Sequence, residues 1–326
     1  MKQAMKSENL ELTTSNLRAD MSEAAYRALE HLGSTDISML LDNARKFDLI
    51  RRRELVENKE CFEFGKAFHV ALLEPELLFD AVAVANKINL GLREVAWRNN
   101  FVVAPCRGKT AKVFIEMVAD NPDKDVLIEP EFEQVQFFQQ HPEKIVVTTV
   151  EFNKIEKLVE KAKRVPGFEN YLANGKKEQS FFGEIDGVPV KGRMDVMFQT
   201  KEGFYIFDPK HTGMEATAHT FSQMSASHNY YVQEWLYTEI LRQNDIPVRD
   251  YLFLVVSQLD HSGAGYYKHD YVAMERAEEL VHKAIQKFKA CTDSGLWGEG
   301  KFNWETKEFE LVSEVTLPSY IFYKYE

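Results

Sequence analysis

Apolar residues recur at helical spacing through SEAAYRALEHL (22–32) and ISMLLDNARKFDLIRRREL (37–55). In the second stretch Ile37, Leu40, Leu41, Ala44, Phe47 and Leu49 or Ile50 keep one stripe, and two helices are predicted over these segments. FEFGKAFHVALLEPELL reads as a third helix that ends near Pro75, because a residue before proline is pushed out of the helical region. Gly65, His69 and Leu73 then share one face. Residues 80–130 are mixed: AVAVAN predicts a short strand, TAKVFIEMVADNP a helix and DKDVLIEP an extended piece. The stretch from about 130 to 173 reads as helical, most clearly in PEFEQVQFFQQH and KIEKLVEKAKRVPGFENYL.

From residue 178 the period changes to two. EQSFFGEI, the pair Asp186-Gly187, VPVKGRMDVMF, the turn QTKEG and FYIFDPK predict three antiparallel strands, the first turn being of type I′. One long helix is expected through ATAHTFSQMSASHNYYVQEWLYTEILRQ. A buried strand YLFLVVSQ, a strand-like GYYKHDYV and a helix over about 273–291 follow. The first 20 residues are polar and aperiodic and predict a mobile arm, leaving 21–326 as a single domain with an N-terminal helical elaboration. There is no internal repeat and no low-complexity segment.

Composition narrows the class. The chain has 326 residues, 44% of them apolar and 12% aromatic, which is enough for a substantial core. A formal net charge of −11 argues against coating nucleic acid through bulk charge and confines any such contact to a local basic groove. The three cysteines, Cys61, Cys106 and Cys291, form no CxxC pair, which excludes a zinc ribbon and fits a reducing cytoplasm. No apolar run is long enough for a membrane span, so a soluble protein without a classical export signal is expected. RGKT at 107–110 is not a P-loop, because the required glycine is replaced by Val103. Arg51-Arg52-Arg53 is a charge run on a helix and reads as a solvated face.

The meander carries the chemistry. Counting back from the turn at Thr200–Gly203 places Asp195 opposite Asp208, and period-two alternation puts Lys210 on the same face as Asp208. The same count sets Arg193 opposite Lys210, while Met194, Val196 and Phe198 point the other way with Tyr205 and Phe207. From the first hairpin, Glu178 faces Asp195 if no bulge intervenes. Three carboxylates then line up across three strands, although like charges facing each other destabilise a sheet. A hard divalent cation bound through carboxylate oxygens resolves that repulsion.

Asp-x(12)-Asp-Pro-Lys on adjacent strands resembles the core of the PD-(D/E)xK nucleases, with Asp195, Asp208 and Lys210 as the motif residues. GKAFHVALLEPE resembles the helix of RecE-type and RecB-type nucleases that carries a metal-binding histidine, here His69. YYVQEWLY resembles their Q-x-x-x-Y motif, with Gln233 and Tyr237 one turn apart and Tyr230 on the same side. The glutamate-led strand EQS and the stretch CTDSGLWGEG complete the resemblance, which runs over about residues 35–320 and is to RecE-like exonucleases. His211 stands where threonine is common after the lysine. The four-cysteine cluster of the Cas4-like branch is missing.

The resemblance implies an α/β fold with a restriction-endonuclease-like core: a mixed central sheet with an antiparallel meander, flanked by helices. It implies metal-dependent hydrolysis of phosphodiesters in linear duplex DNA, 5′ to 3′, leaving 3′ overhangs for recombination. His69, Asp195, Asp208 and the Pro209 carbonyl, with Glu178, would hold Mg²⁺ or Mn²⁺. Lys210 would orient water or stabilise charge, Gln233 and Tyr237 would position phosphate or a terminal base, and Arg193, Lys191 and Tyr230 would contact DNA. Expected partners are duplex DNA ends, a single-strand annealing protein and further copies of the chain in a ring, in the cytoplasm of a bacterium carrying the gene on a phage or prophage. Two alternatives are a catalytically silent DNA-binding or recombination accessory protein of the same fold, and an unrelated acidic interaction protein.

Overall fold

The structure is a computed structural model in which residues 17–18, 21–55, 60–104, 116, 119–120, 122–298 and 301–310 are described. Within the predicted N-terminal arm, Leu17–Arg18 forms a strand, β1, paired with the edge of the main sheet at Phe181 and Ser180; the rest of residues 1–20 lies outside the described part. Helix α1 (Glu23–Ala28) starts at Ser22, whose hydroxyl accepts from the Ala25 amide. The stretch predicted as one helix over 37–55 is two, α2 (Ser34–Asp42) and α3 (Ala44–Arg51). Asn43 breaks it, with an extended backbone and a side chain that caps α3 by accepting from the Lys46 amide. Helix α4 (Glu60–Leu73) carries His69 and ends before Pro75, which opens a 3₁₀ turn (Pro75–Leu77), followed by the short α5 (Leu78–Ala81).

A small α/β unit comes next. Strand β2 (Val82–Ala85) is followed by α6 (Gly91–Arg98), β3 (Phe101–Ala104), β4 (Asp125–Ile128), α7 (Glu129–Gln140) and β5 (Ile145–Thr148). β2 pairs in parallel with β5, and β3 with β4, around a core that includes Leu92, Val95, Leu127, Val135 and Phe138. β5 corrects the expectation of continuous helix from 130 to 173, because Ile-Val-Val-Thr is β-branched and stiff at the first side-chain torsion. Thr148 ends that strand and caps α8 (Thr149–Lys163) in a capping box with Glu151; α9 (Phe168–Asn174) follows. The helix expected over 110–122 falls mostly outside the described residues.

The central sheet has six strands in the order β1-β6-β7-β8-β9-β10, with β6 (Lys176–Ile185), β7 (Val188–Thr200) and β8 (Gly203–Thr212) forming the predicted antiparallel meander. Asp186 and Gly187 both have positive φ, 50° and 80°, as a type I′ turn requires. The helix expected over 216–243 is two helices, α10 (Ala218–His228) and α11 (Tyr230–Gln243). Asn229 separates them in the left-handed region with φ 56°, a conformation asparagine tolerates better than most residues. They form the crossover to β9 (Val248–Ser257), which lies parallel to β8, and β10 (Ala264–Tyr267) closes the far edge. Helix α12 (Tyr271–Ser294) and a small hairpin, β11 (Lys301–Asn303) with β12 (Glu308–Glu310), follow.

Both faces of the sheet are covered. Phe253 and Val255 belong to the core shared with α2, α11 and α12, whereas Leu254 and Val256 belong to the core shared with α4 and α8. YLFLVVSQ is therefore continuously apolar because each face of β9 is buried under helices. Ile206 and Phe207 divide in the same way on β8. Met194 departs from the expected alternation and packs in the cluster of Ile206 and Tyr237, not with Val196 and Phe207.

Candidate active site

The β7–β8 ladder runs from Thr200–Gly203 to Val196–Phe207 in the predicted register, so Asp195 and Asp208 stand one step beyond the last paired residues. Asp208 is 1% exposed. Its Oδ2 accepts from the Tyr251 hydroxyl at 2.8 Å and from the Gln233 amide, while Lys210 Nζ lies 2.7 Å from Oδ1. Among the described residues the Lys210 ammonium is the one partner of this buried oxygen, which keeps a further lone pair. Burial alone would lower the Lys210 pKa, but Asp208 and Asp195 hold its ammonium above the usual lysine range. The Lys210 ammonium also sits 4.9 Å from the centre of the Tyr230 ring.

Asp195 lies between the other acids. Burial raises its pKa well above the usual carboxylate range, and Asp208 and Glu178 raise it further. Its Oδ2 is 3.5 Å from Nδ1 of His69, which reaches the sheet from α4. Burial, with Lys210 nearby, pushes the His69 imidazole down to about 4, so the ring is neutral near pH 7, and it donates to the Pro209 carbonyl. His211, the residue after the lysine, is also pushed down to about 4 by burial and Lys210. It packs edge-on against Phe64 and Phe68 of α4.

Glu178 keeps the predicted place, since the residues on either side of it pair with Met194 and Val196 on either side of Asp195. Its own backbone is left-handed, φ 52°, a costly state for a non-glycine residue inside a strand. Its carboxylate is bound to Arg193, Nε to Oε2, at 2.6 Å. Burial raises its pKa despite that partner.

Two expected DNA contacts are spent inside the chain. Lys191 is buried, and its ammonium donates to the carbonyls of Tyr26 and Leu29 at the end of α1, leaving it unable to reach a phosphate. Arg193 is held by Glu178, the Met21 carbonyl and the Ser180 hydroxyl, and it does not face Lys210 across a ladder. Gln233 differs too, because its amide is turned onto the Asp208 carboxylate. Tyr237 is buried, which pushes its hydroxyl up to about 12, and its ring lies against Gly192, where a Cβ would meet it at 2.9 Å. Tyr251, whose hydroxyl donates to Asp208, carries no signal of that role in the sequence. It begins an apolar run read only as core, and nothing local signals that β9 lies beside β8.

This placement of an acid, a second acid and a lysine at the end of a β-hairpin coincides with a sequence match to one family. The model of a PDDEXK-like domain of unknown function (DUF3799) matches residues 43–300. The chain belongs to that family. No curated protein gives a significant match. Among solved structures, a presumptive exonuclease from Eubacterium rectale is similar, at 12% identity and a TM-score of 0.49, with 85% of this chain and 88% of that chain covered. A second, SSO0001, is similar at 10% identity and a TM-score of 0.26, with 75% and 84% covered.

The mixed sheet with its meander is thus the PDDEXK-like fold of this family. Among the described residues no three His, Cys, Asp or Glu side chains are gathered closely enough to form a ready metal cluster. The donor chemistry nonetheless fits a hard cation. One buried carboxylate oxygen meets only the Lys210 ammonium among the described residues, a second carboxylate is repelled by the first, and a neutral imidazole stands beside it. No described helix is long and apolar enough to cross a membrane.

Proposed function

We propose that this PDDEXK-like chain is a divalent-metal-dependent deoxyribonuclease that hydrolyses phosphodiester bonds at the ends of linear duplex DNA. The observation that carries the reading is Asp208, a nearly sealed carboxylate with one oxygen fixed by Tyr251 and Gln233 and the other paired with Lys210, beside the Asp195 carboxylate that it repels. Two buried carboxylates that repel each other cost folding free energy, which a bound cation offsets.

Asp208, Asp195, His69 and the Pro209 carbonyl would hold Mg²⁺ or Mn²⁺, with Glu178 kept to its ion pair with Arg193. Bound there, the cation supplies a polarised phosphate, a more acidic water and charge compensation for the leaving oxygen. The chain's own groups set the rest. His69 stays neutral near pH 7 and, with one ring nitrogen donating to Pro209, keeps a lone pair on the other. Lys210 stays an ammonium, so it donates and is no general base; it orients the attacking water or stabilises the charge that builds on phosphorus-bound oxygen. Gln233 and Tyr251 fix the plane of the Asp208 carboxylate.

The reading extends to a RecE-like exonuclease that digests 5′ to 3′ and leaves 3′ overhangs for an annealing protein, as a homo-oligomeric ring in a phage-carrying bacterial cytoplasm. Tyr230 and a confined set of cations would meet the DNA. The test is end-labelled linear duplex incubated in Mg²⁺, Ca²⁺ or EDTA. Shortening from labelled 5′ ends in Mg²⁺, with DNA binding but little cleavage in Ca²⁺, is expected. Equal cleavage in EDTA and Mg²⁺, or none in any metal, overturns the proposal.

A further inference from the structure

One buried polar chain lies next to the site and belongs to none of the roles above. Ser225 on α10, His269 in the segment between β10 and α12, and Glu234 on α11 are linked in series. Ser225 Oγ lies 2.6 Å from Nε2 of His269, and Nδ1 of His269 lies 2.6 Å from Oε2 of Glu234. The order of groups is that of a hydrolase nucleophile, base and acid. Ser225 is 3% exposed and Glu234 7%, and the His269 ring is packed among Phe221, Tyr231 and Phe253. No substrate can reach that hydroxyl, so the linkage must act through what it holds.

What it holds is the first turn of α11. Tyr230 and Gln233 on that turn meet Lys210 and Asp208, and Glu234 is the next residue. The helix begins directly after the left-handed Asn229, so its backbone is interrupted where it joins α10. An interrupted junction leaves the angle and rotation of α11 to side-chain contacts. The Ser225–His269–Glu234 linkage ties α10, α11 and the β10–α12 segment together beside the site. A buried carboxylate also costs far less with a bonded partner than without one.

We propose that His269 is a positioning residue: by bridging Ser225 to Glu234 it sets the first turn of α11 so that Gln233 and Tyr230 reach Asp208 and Lys210. As a statement about catalysis this rests on the nuclease reading, but its geometric content does not. Removal of the bridge shifts Gln233 and lets the Asp208 carboxylate turn. A displacement of about 1 Å is expected to lower cleavage on the order of 10²-fold in kcat, with KM for DNA little changed.

The test compares His269→Phe, Glu234→Gln and Gln233→Ala, alone and as the His269→Phe/Gln233→Ala double variant, in the full chain below its unfolding temperature. Glu234→Gln keeps an acceptor for the imidazole and is expected to retain most of the rate. The double variant is expected to be no slower than the slower single one, since both losses act through the same amide. Hydrogen exchange, read without any substrate, is expected to speed up in His269→Phe at residues 230–234 while β8 stays protected. Losses that multiply in the double variant, or unchanged exchange at 230–234, overturn the proposal. A wild-type protein that cleaves no DNA overturns the nuclease reading alone, and the exchange result still decides whether His269 sets the turn.

Discussion

Two ion pairs on the same sheet invite comparison. Arg193–Glu178 and Lys210–Asp208 join a cation to a carboxylate at 2.6 and 2.7 Å. The first is saturated: Arg193 also donates to the Met21 carbonyl and the Ser180 hydroxyl, and it clamps the N-terminal segment onto the sheet. The second is not. Oδ1 of Asp208 meets only the Lys210 ammonium among the described residues, and Asp195 is pushed toward its protonated form, chiefly by burial and then by Asp208 and Glu178. A saturated pair can only be broken, at a cost to folding, whereas a pair with an unused lone pair and a repelled neighbour gains when a cation arrives.

Changes at Asp208 and Lys210 test the contrast most severely. Asp208→Asn and Lys210→Ala are expected to lower DNA cleavage by about 10²- to 10³-fold, the size of effect seen when a group that stabilises developing charge is lost. Circular dichroism and unfolding curves are expected to stay close to wild type for Asp208→Asn. Near-wild-type cleavage in either variant removes this pair from the chemistry. His69→Ala comes next. Loss of supporting groups around a metal alone costs about 10- to 100-fold in affinity, and loss of a ligand is expected to cost at least as much. Calorimetric titration with Mn²⁺ reads this directly; unchanged affinity together with a fall in stability makes His69 a packing residue.

Arg193→Met addresses the saturated pair. It leaves a part-buried Glu178 without its donor and is expected to lower folding stability by about 2 kcal/mol. Urea unfolding measures that loss, and cleavage per folded molecule is expected to persist. Unchanged stability with weakened DNA binding would instead restore Arg193 as a phosphate contact. The smallest effect concerns His211. Its folded pKa of about 4 lies below its ordinary value, so between about 4 and 6.5 the unfolded chain binds the proton and the folded chain does not. Its contribution to stability is full above the ordinary value and is lost as pH falls toward the folded one. His211→Gln is expected to show a shallower loss of stability between pH 7 and pH 4.5, and an equal slope shows that His211 does not titrate there.

The meander was readable because its rules are local. Period-two alternation and the Asp186-Gly187 and Thr200–Gly203 turns set the register within a few residues, and so align Asp195 with Asp208 without reference to any tertiary contact. His69 is marked by the resemblance of its helix and by the face that it shares with Gly65 and Leu73. Helix breaks were harder: Asn43 and Asn229 lie inside apolar stripes that continue on either side, and a stripe does not report a change of direction.

Everything that depends on distant strands and helices was decided by the tertiary structure. Tyr251 reaches Asp208 only because β9 returns parallel to β8 after two helices, a pairing that no local spacing encodes. Lys191 and Arg193 looked like free cations beside the acids, and only the docking of the N-terminal segment turned them inward. The residues themselves determined which charges exist and which of them alternate onto one face. Packing determined which of those charges find partners within the chain and which one, Oδ1 of Asp208, is left with a lone pair to offer, because burial removes the water that would otherwise satisfy it.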